Sequence, residues 1–515
     1  MIPLLSPLQS DVPGSPVPGH SERHPRGLYT LFFTEMWERF SYYGMRALLV
    51  LFMVDSVRGG MGLTDKLATS IYGLYTAAVY LVALPGGWFA DRVCGAQRAV
   101  WYGGLVIALG HFTLAIPGTQ TFYLGLILVV LGTGLLKPNI SAIVGQLYAD
   151  GSTRRDAGFT IFYMGINLGA FLGPLVCSSL GERVNWHYGF AAAGVGMLLG
   201  LAQYRLSLKH LGSAGLLPGN VNPLGPVERW GMLLGLGTLA LVVILSLAGV
   251  LVINPIAVAR NSTTVIVAVA VCYFAYVLIF LGLDKAEKRR VGVIIVLFLA
   301  SALFWSGFEQ AGSSFNLFAD RYTERVIGFL GFVIPAGWFQ SLGPVFIITF
   351  APVFAAIWVA LARRRLEPSL PVKFALGLLL LAAGFLVMSG AARIAASGHK
   401  AWPTWLIATY LIHTFGELCL SPVGLSSVTK LAPRRLVGQM MGVWFLATSL
   451  GNLIAGLLAG EVSGQAVEQM SGQFLQIVWM PVGAGIALLL LAKPIMKMSG
   501  QGSGSDVAGR DGPEN

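Results

Sequence analysis

The sequence predicts an all-α integral membrane protein with fourteen transmembrane helices, and its composition, its long apolar segments and its basic loops support this fold class. Hydrophobic residues make up 55% of the 515 residues and charged residues only 11%, and the mean hydropathy is +0.73. Soluble domains carry about 25% charged residues. A chain with so few charges needs an apolar solvent, and the lipid bilayer is the expected partner.

Apolar segments long enough to cross a bilayer recur along the whole chain. A spanning helix needs about 20 mostly apolar residues. The predicted spans are 28–54, 68–90, 99–116, 121–147, 157–181, 188–206, 229–252, 262–283, 292–313, 340–362, 374–392, 402–429, 437–459 and 472–492.

Basic residues cluster in the loops on one side, as in Arg92 with Arg98 and in the run 363–365. Lys and Arg accumulate in short cytoplasmic loops. We therefore expect a bacterial inner-membrane protein with both termini in the cytoplasm. The net charge of +11 lies in these loops, so it does not indicate nucleic-acid binding.

The spans are organised as six helices, a linker with two, and six more. The predicted units are an N-terminal tail (1–27), a six-helix bundle (28–208), the linker (209–290), a second bundle (291–496) and a disordered C-terminal tail (497–515). The linker spans contain no internal charge, which is typical of lipid-facing additions. A single fourteen-helix bundle stays open as the alternative.

Charged residues inside membrane spans are costly and usually functional. Seven lie inside these spans, four acids and three bases, so one carboxylate lacks a cationic partner. An unpaired carboxylate in a low dielectric takes up a proton, which predicts a proton-binding site without placing it. The seven residues are Glu35, Glu38, Arg39, Arg46, Lys137, Glu309 and Glu417.

The first helix concentrates this chemistry. At about 100° per residue, Glu35, Glu38, Arg39, Tyr42 and Arg46 share one face, which is expected to line a cavity. Glu35 and Arg39 have the spacing of an intrahelical ion pair. A purely structural ion pair between helices is the alternative.

Other polar and aromatic residues complete a candidate pocket. Tyr163 and Asn167 have i,i+4 spacing, as do Glu417 and Ser421, and Trp305 lies one turn before Glu309. Tyr80 and Trp444 are further candidates, although each aromatic residue could equally serve packing. His111 and His413 are expected to be structural.

Two levels of resemblance follow from motifs. The segment GGWFADRVCGAQR, with Asp91 and Arg92, resembles the loop after the second helix in the major facilitator superfamily. The segment EMWERFSYYGMR at 35–46 resembles the E-x-x-E-R-F-x-Y-Y signature of the proton-dependent oligopeptide transporter family. Segments 162–171, 304–310, 415–433 and 440–452 resemble further signatures of that family. Bacterial members carry two extra helices between the halves.

The resemblance implies roles for individual residues. Glu35, Glu38, Arg39 and Glu309 would handle the proton and exchange salt bridges. The peptide carboxylate would face Arg46 and Lys137, and its amino group would face Asn167 and Glu417. The pocket walls would be Tyr42, Tyr43, Tyr80, Tyr163, Trp305, Ser421 and Trp444.

The chain departs from the family pattern at two glycines. Gly343 stands where members often have Asn, which puts one contact to the amino group in doubt. Gly73 stands where animal members carry a histidine, so proton coupling would rest on carboxylates.

The expected function is proton-coupled import of di- and tripeptides by alternating access, by a monomer without cofactor or metal. Transport of another small solute, such as nitrate or a drug-like amine, is the alternative on the same fold. A membrane enzyme is disfavoured because the sequence offers no nucleophile–base pair. A receptor would not need a proton site.

Overall fold

The computed structural model describes residues 24–148, 154–218, 225–328, 331–464 and 466–500, and these residues form an almost entirely helical protein. The α-helices are α1 (Arg26–Val54), α2 (Asp65–Phe89), α3 (Ala96–Leu114), α4 (Thr119–Gln146), α5 (Arg154–Arg183), α6 (Trp186–Ser207), α7 (Pro226–Leu247), α8 (Pro255–Phe280), α9 (Lys285–Phe308), α10 (Ser314–Tyr322), α11 (Leu342–Arg363), α12 (Leu370–Ala396), α13 (Pro403–Leu431), α14 (Val437–Ser463), α15 (Val467–Leu490) and α16 (Ala492–Ser499). The only strands in this part of the chain, β1 (Val326–Ile327) and β2 (Phe332–Val333), pair as an antiparallel hairpin.

Eleven helical segments of the described residues are long and apolar enough to cross a membrane. The helices α1, α3 and α6 are also long enough to span a membrane, at 29, 19 and 22 residues. With them, the described residues contain fourteen candidate spans, which agrees with the predicted number. The predicted span 292–313 differs in detail. Its helix starts at Lys285, breaks into a 3-10 turn at Glu309–Gly312, and continues as α10.

Local sequence signals explain several boundaries. The Thr64 side chain accepts the Leu67 N–H at the start of α2, and Asn254 caps α8. Asp284 and Glu287 form a capping box at the start of α9. The motif loop after α2 is a π-helical turn that ends at Gly95 with φ of 79°, a conformation that favours glycine.

We call α1–α6 the first half of the chain and α9–α15 the second half. We call the side where α1 begins the near face, and the side where α1 ends the far face. Backbones approach closely where glycines meet, a common device in membrane helix packing. A Cβ added to Gly73 of α2 would lie 3.0 Å from the Gly456 Cα of α14.

Of the two linker helices, α7 is bonded to the first half, and α8 contacts both halves. In α7, no described residue is buried, as expected for a lipid-facing helix. Arg92 of the motif loop pairs with Glu228 at 2.5 Å, which ties α7 to the first half. Arg435 donates to the Leu281 carbonyl at 2.7 Å, which ties the end of α8 to the second half.

The predicted tails lie largely outside the described residues. Residues 1–23 and 501–515 are not among them. α16, which ends at Ser499, covers the start of the predicted C-terminal tail.

Candidate substrate and proton site

The first helix holds a buried charge triplet. Arg39 Nε lies 2.9 Å from Glu35 Oε1 and 2.5 Å from Glu38 Oε2, and all three side chains are at most 3% exposed. The arginine also lies over the Tyr42 ring, 5.4 Å from its centroid. The remaining oxygens, Glu35 Oε2 and Glu38 Oε1, make no hydrogen bond with described residues. Two carboxylates thus share one cation.

A second buried ion pair joins the two halves. Arg46 Nη2 lies 2.7 Å from Glu309 Oε2. Arg46 Nε donates to the Tyr72 hydroxyl at 2.5 Å, and its guanidinium lies 5.5 Å from the Tyr43 ring centroid. Glu309 is placed by the 3-10 turn that interrupts the helix after Phe308. The pair therefore ties α1 to the second half.

Lys137 is an unpaired cation of the first half. Its Nζ lies over the Tyr80 ring, 4.0 Å from the centroid. Within the described ranges it forms no ion pair with a carboxylate. Pro138 follows it inside α4, in a stretch where Gly134 packs closely on Val82 of α2. A half-buried ammonium that stacks on an aromatic ring keeps its hydrogen-bond donors available.

Glu417 is an unpaired acid of the second half. It is half-buried on α13, its Oε2 has no hydrogen-bond partner among described atoms, and no cation of that part of the chain pairs with it. It interacts electrostatically with Tyr43 and Tyr163 of the first half. The carboxylate therefore faces the space between the halves.

The remaining predicted residues are placed as follows. Asn167 is buried on α5, and its Nδ2 donates to the Tyr163 carbonyl at 3.0 Å. Trp305 is half-buried and packs edge-on against Phe304. Ser421 is half-buried one turn after Glu417. Trp444 packs inside the second half against Phe374, at 6.4 Å between ring centroids.

Sequence reasoning missed two tyrosines of α2. Tyr72 hydrogen-bonds Arg46. Tyr75 stacks on Tyr42 at 6.1 Å, and its buried hydroxyl has no partner among the described residues. Their three-residue spacing would have indicated one aromatic face on α2.

The intramembrane charges thus separate into paired and unpaired groups. Five are paired, in the triplet of α1 and in the Arg46–Glu309 bridge. Two are unpaired within the described residues, Lys137 on the first half and Glu417 on the second. Their opposite charges on opposite halves suit a ligand that carries both charges.

Two half-bundles around such a site define a membrane transporter of the major facilitator type. A solved peptide transporter of the POT family, in complex with sulfate, superimposes with a TM-score of 0.85 at 43% identity, over 92% of this chain and 96% of that chain.

The POT family model matches residues 97–473, and the chain belongs to this family of proton-dependent oligopeptide transporters. It is 43% identical to the peptide transporter YePEPT of Yersinia enterocolitica over 94% of this chain and 97% of that protein. It is 38% identical to a di-/tripeptide transporter of Lactococcus lactis over 92% of this chain and 97% of that protein. The predicted family is confirmed.

Proposed function

We propose that this protein is a proton-coupled symporter that imports di- and tripeptides by alternating access. It acts as a monomer in the bacterial inner membrane with both termini in the cytoplasm, so the near face is cytoplasmic. The units that move are 28–208 and 291–496, with 209–290 as the linker between them. The names of its relatives in Yersinia and Lactococcus support the peptide substrate.

The observation that carries the proposal is a pair of opposite charges that have no ion-pair partner among the described residues, Lys137 on the first half and Glu417 on the second. Every short peptide is a zwitterion, whatever its side chains. A site that accepts many peptides should bind the amino and carboxylate groups that all peptides share, and it should leave space for side chains of different sizes. Lys137 would receive the carboxylate, and Glu417 and Asn167 would receive the amino group. Asn167 lies one turn from Tyr163 on α5.

Proton coupling is assigned to the charge triplet of α1 and to Glu309. In the α1 triplet, two acids compete for Arg39, so one of them can accept a proton without leaving the arginine unpaired. The Arg46–Glu309 bridge holds the halves together. Protonation of Glu309 would free Arg46 for the peptide carboxylate and let the halves rock.

The site argues against the two alternative solutes. A nitrate site would gain nothing from Glu417, whose charge repels an anion. A site for a simple amine would gain nothing from the unpaired Lys137. A peptide uses both groups.

The test is uptake of a labelled dipeptide into liposomes with and without an inward proton gradient. We expect accumulation only with the gradient, competition by unlabelled dipeptides, and none by nitrate. The matched control ligand is the same dipeptide with an acetylated amino group, which should compete far less. Equal competition by the acetylated peptide, or gradient-independent accumulation, would contradict the proposal.

A further inference from the structure

A segment of the second half docks on the first half at the far face. The 3-10 helix Ala336–Ser341 precedes α11 and lies along the C-terminal half of α5. Ser341 Oγ donates to the Phe171 carbonyl at 2.7 Å, and Trp338 Nε1 donates to the Leu175 carbonyl at 3.0 Å. We call this 3-10 helix, with its partners on α5, the far-face latch.

Glu182, at the end of α5, closes the latch. Its Oε2 accepts the Ala336 N–H at 2.6 Å, and its Oε1 accepts the Gly337 N–H at 2.9 Å. The side chain is 4% exposed. Gly337 packs directly on the Ser178 side chain, so that the segment is held against α5. Both carboxylate oxygens are thus acceptors in a contact that crosses between the halves.

Four charged residues lie around Glu182, and they come from four segments of the chain. Arg325, beside the β-hairpin, has its Nη1 3.5 Å from Glu182 Oε2 and also binds Asp320 of α10 at 2.7 Å. Arg58, in the loop after α1, donates to the Glu182 main-chain carbonyl at 3.2 Å. Arg183 follows Glu182 in the chain and lies over the Phe332 ring.

Protonation changes what this carboxylate can do. An ionised carboxylate accepts hydrogen bonds at both oxygens, whereas a carboxylic acid has one O–H donor in place of an acceptor. If Glu182 takes up a proton, its O–H group can face one of the two N–H groups that the ionised carboxylate accepts. Two hydrogen-bond donors then oppose each other, and that hydrogen bond is lost. Protonation would also remove the charge that attracts Arg325.

We propose that Glu182 is a proton-sensitive gate residue, whose ionised carboxylate keeps the far face closed and whose protonation releases the latch. The inference rests on the proposed function, in which the far face is the outer, acidic side. Acid on that side would open the site toward the peptide supply, at a carboxylate separate from the α1 triplet.

The experiment measures opening of the far face without using transport. Spin labels are placed at Ile116 and Trp402, exposed positions on the first and second halves at that face, after the native cysteines are replaced by serine. Pulsed electron paramagnetic resonance then gives the distance between the labels in nanodiscs. For the otherwise unaltered protein, we expect a short distance at neutral pH and a growing long-distance population on acidification.

Three variants separate the causes. Glu182→Gln should raise the open-to-closed ratio roughly tenfold at neutral pH, since it loses a charge-assisted hydrogen bond, and should flatten the acid response. Ser341→Ala removes an uncharged latch bond, so it should open the gate in part and keep the acid response. Glu324→Gln is the matched control, because among the described residues its carboxylate accepts one hydrogen bond, from the neighbouring Val326 N–H in the same half.

A Glu182→Gln distance distribution like that of the parent protein, or an unaltered acid response in this variant, would overturn the proposal. A monodisperse elution profile confirms that each variant is folded. Failure of the proposed function gives a different result, namely absent dipeptide uptake with the acid-induced opening intact.

Discussion

The triplet of α1 allows a prediction about stability and coupling together. Arg39 lies between Glu35 and Glu38 with nearly no exposure. Replacing one acid, as in Glu38→Gln, leaves a neutral arginine–carboxylate pair. Replacing the cation, as in Arg39→Gln, leaves two buried carboxylates without a partner. The two substitutions should therefore differ sharply, although each removes one charge.

The magnitudes follow from the geometry. Glu38→Gln removes one of the two contacts of Arg39. It should lower the free energy of unfolding by about 1 kcal/mol, the net contribution of one hydrogen bond. Leaving a buried charge unpaired typically costs about 3–5 kcal/mol, so Arg39→Gln should be several times more destabilising. Acid should partly restore Arg39→Gln, since protonation neutralises the acids that lost their cation. Thermal unfolding in nanodiscs at neutral and acid pH measures both effects.

Transport separates coupling from folding. Glu35→Gln and Glu38→Gln should each lose proton-driven accumulation, because they imitate permanent protonation, while peptide-for-peptide exchange survives in part. Both modes are measured on the same liposomes, with the exposed Glu468→Gln as the matched control. Full accumulation in both variants would place the proton elsewhere, with Glu309 next. Loss of both modes together would mean that the triplet serves folding or gating.

Three further predictions concern the unpaired charges and the bridge. Glu417→Ala should abolish dipeptide binding and both transport modes, and unchanged affinity on folded protein would refute its role. Lys137→Gln should damage uptake far more than the loop variant Arg364→Gln, and equal effects would remove Lys137 from the site. Glu309→Gln should weaken far-face closure, because Arg46 loses its carboxylate, which spin-label distances across that face report. An unchanged distance distribution would contradict this expectation.

The helices were predictable because membrane burial imposes a length. About 20 apolar residues are needed to cross the core, and each of the fourteen predicted segments has a matching helix. The break at Glu309 was not predicted. Gly307 and Gly312 beside it are poor helix formers, but the turn contacts Arg46 of α1 and Tyr72 of α2, and local sequence does not reveal these long-range contacts.

The sequence predicted which charged residues belong to the candidate site, but it predicted less well which of them form ion pairs with each other. The excess of acids over bases inside the spans indicated a proton site, and the structure locates the shared cation at Arg39. The positions of the charged residues along the sequence did not indicate that Arg46 pairs with Glu309 rather than with another acid. Glu182 lay just beyond a predicted span, and its burial depends on a segment more than 150 residues away.

The close approach of Gly73 and Gly456 has a mechanical consequence. No side chain separates α2 from α14 at this point. The two backbones can therefore act as the pivot point when one half tilts against the other. A methyl group on Gly456 would lie 2.7 Å from the Gly73 Cα, too close for ordinary contact, and would act as a wedge. A side chain at either position would therefore prevent the close approach of α2 and α14, so a substitution of one glycine has to be considered together with the other.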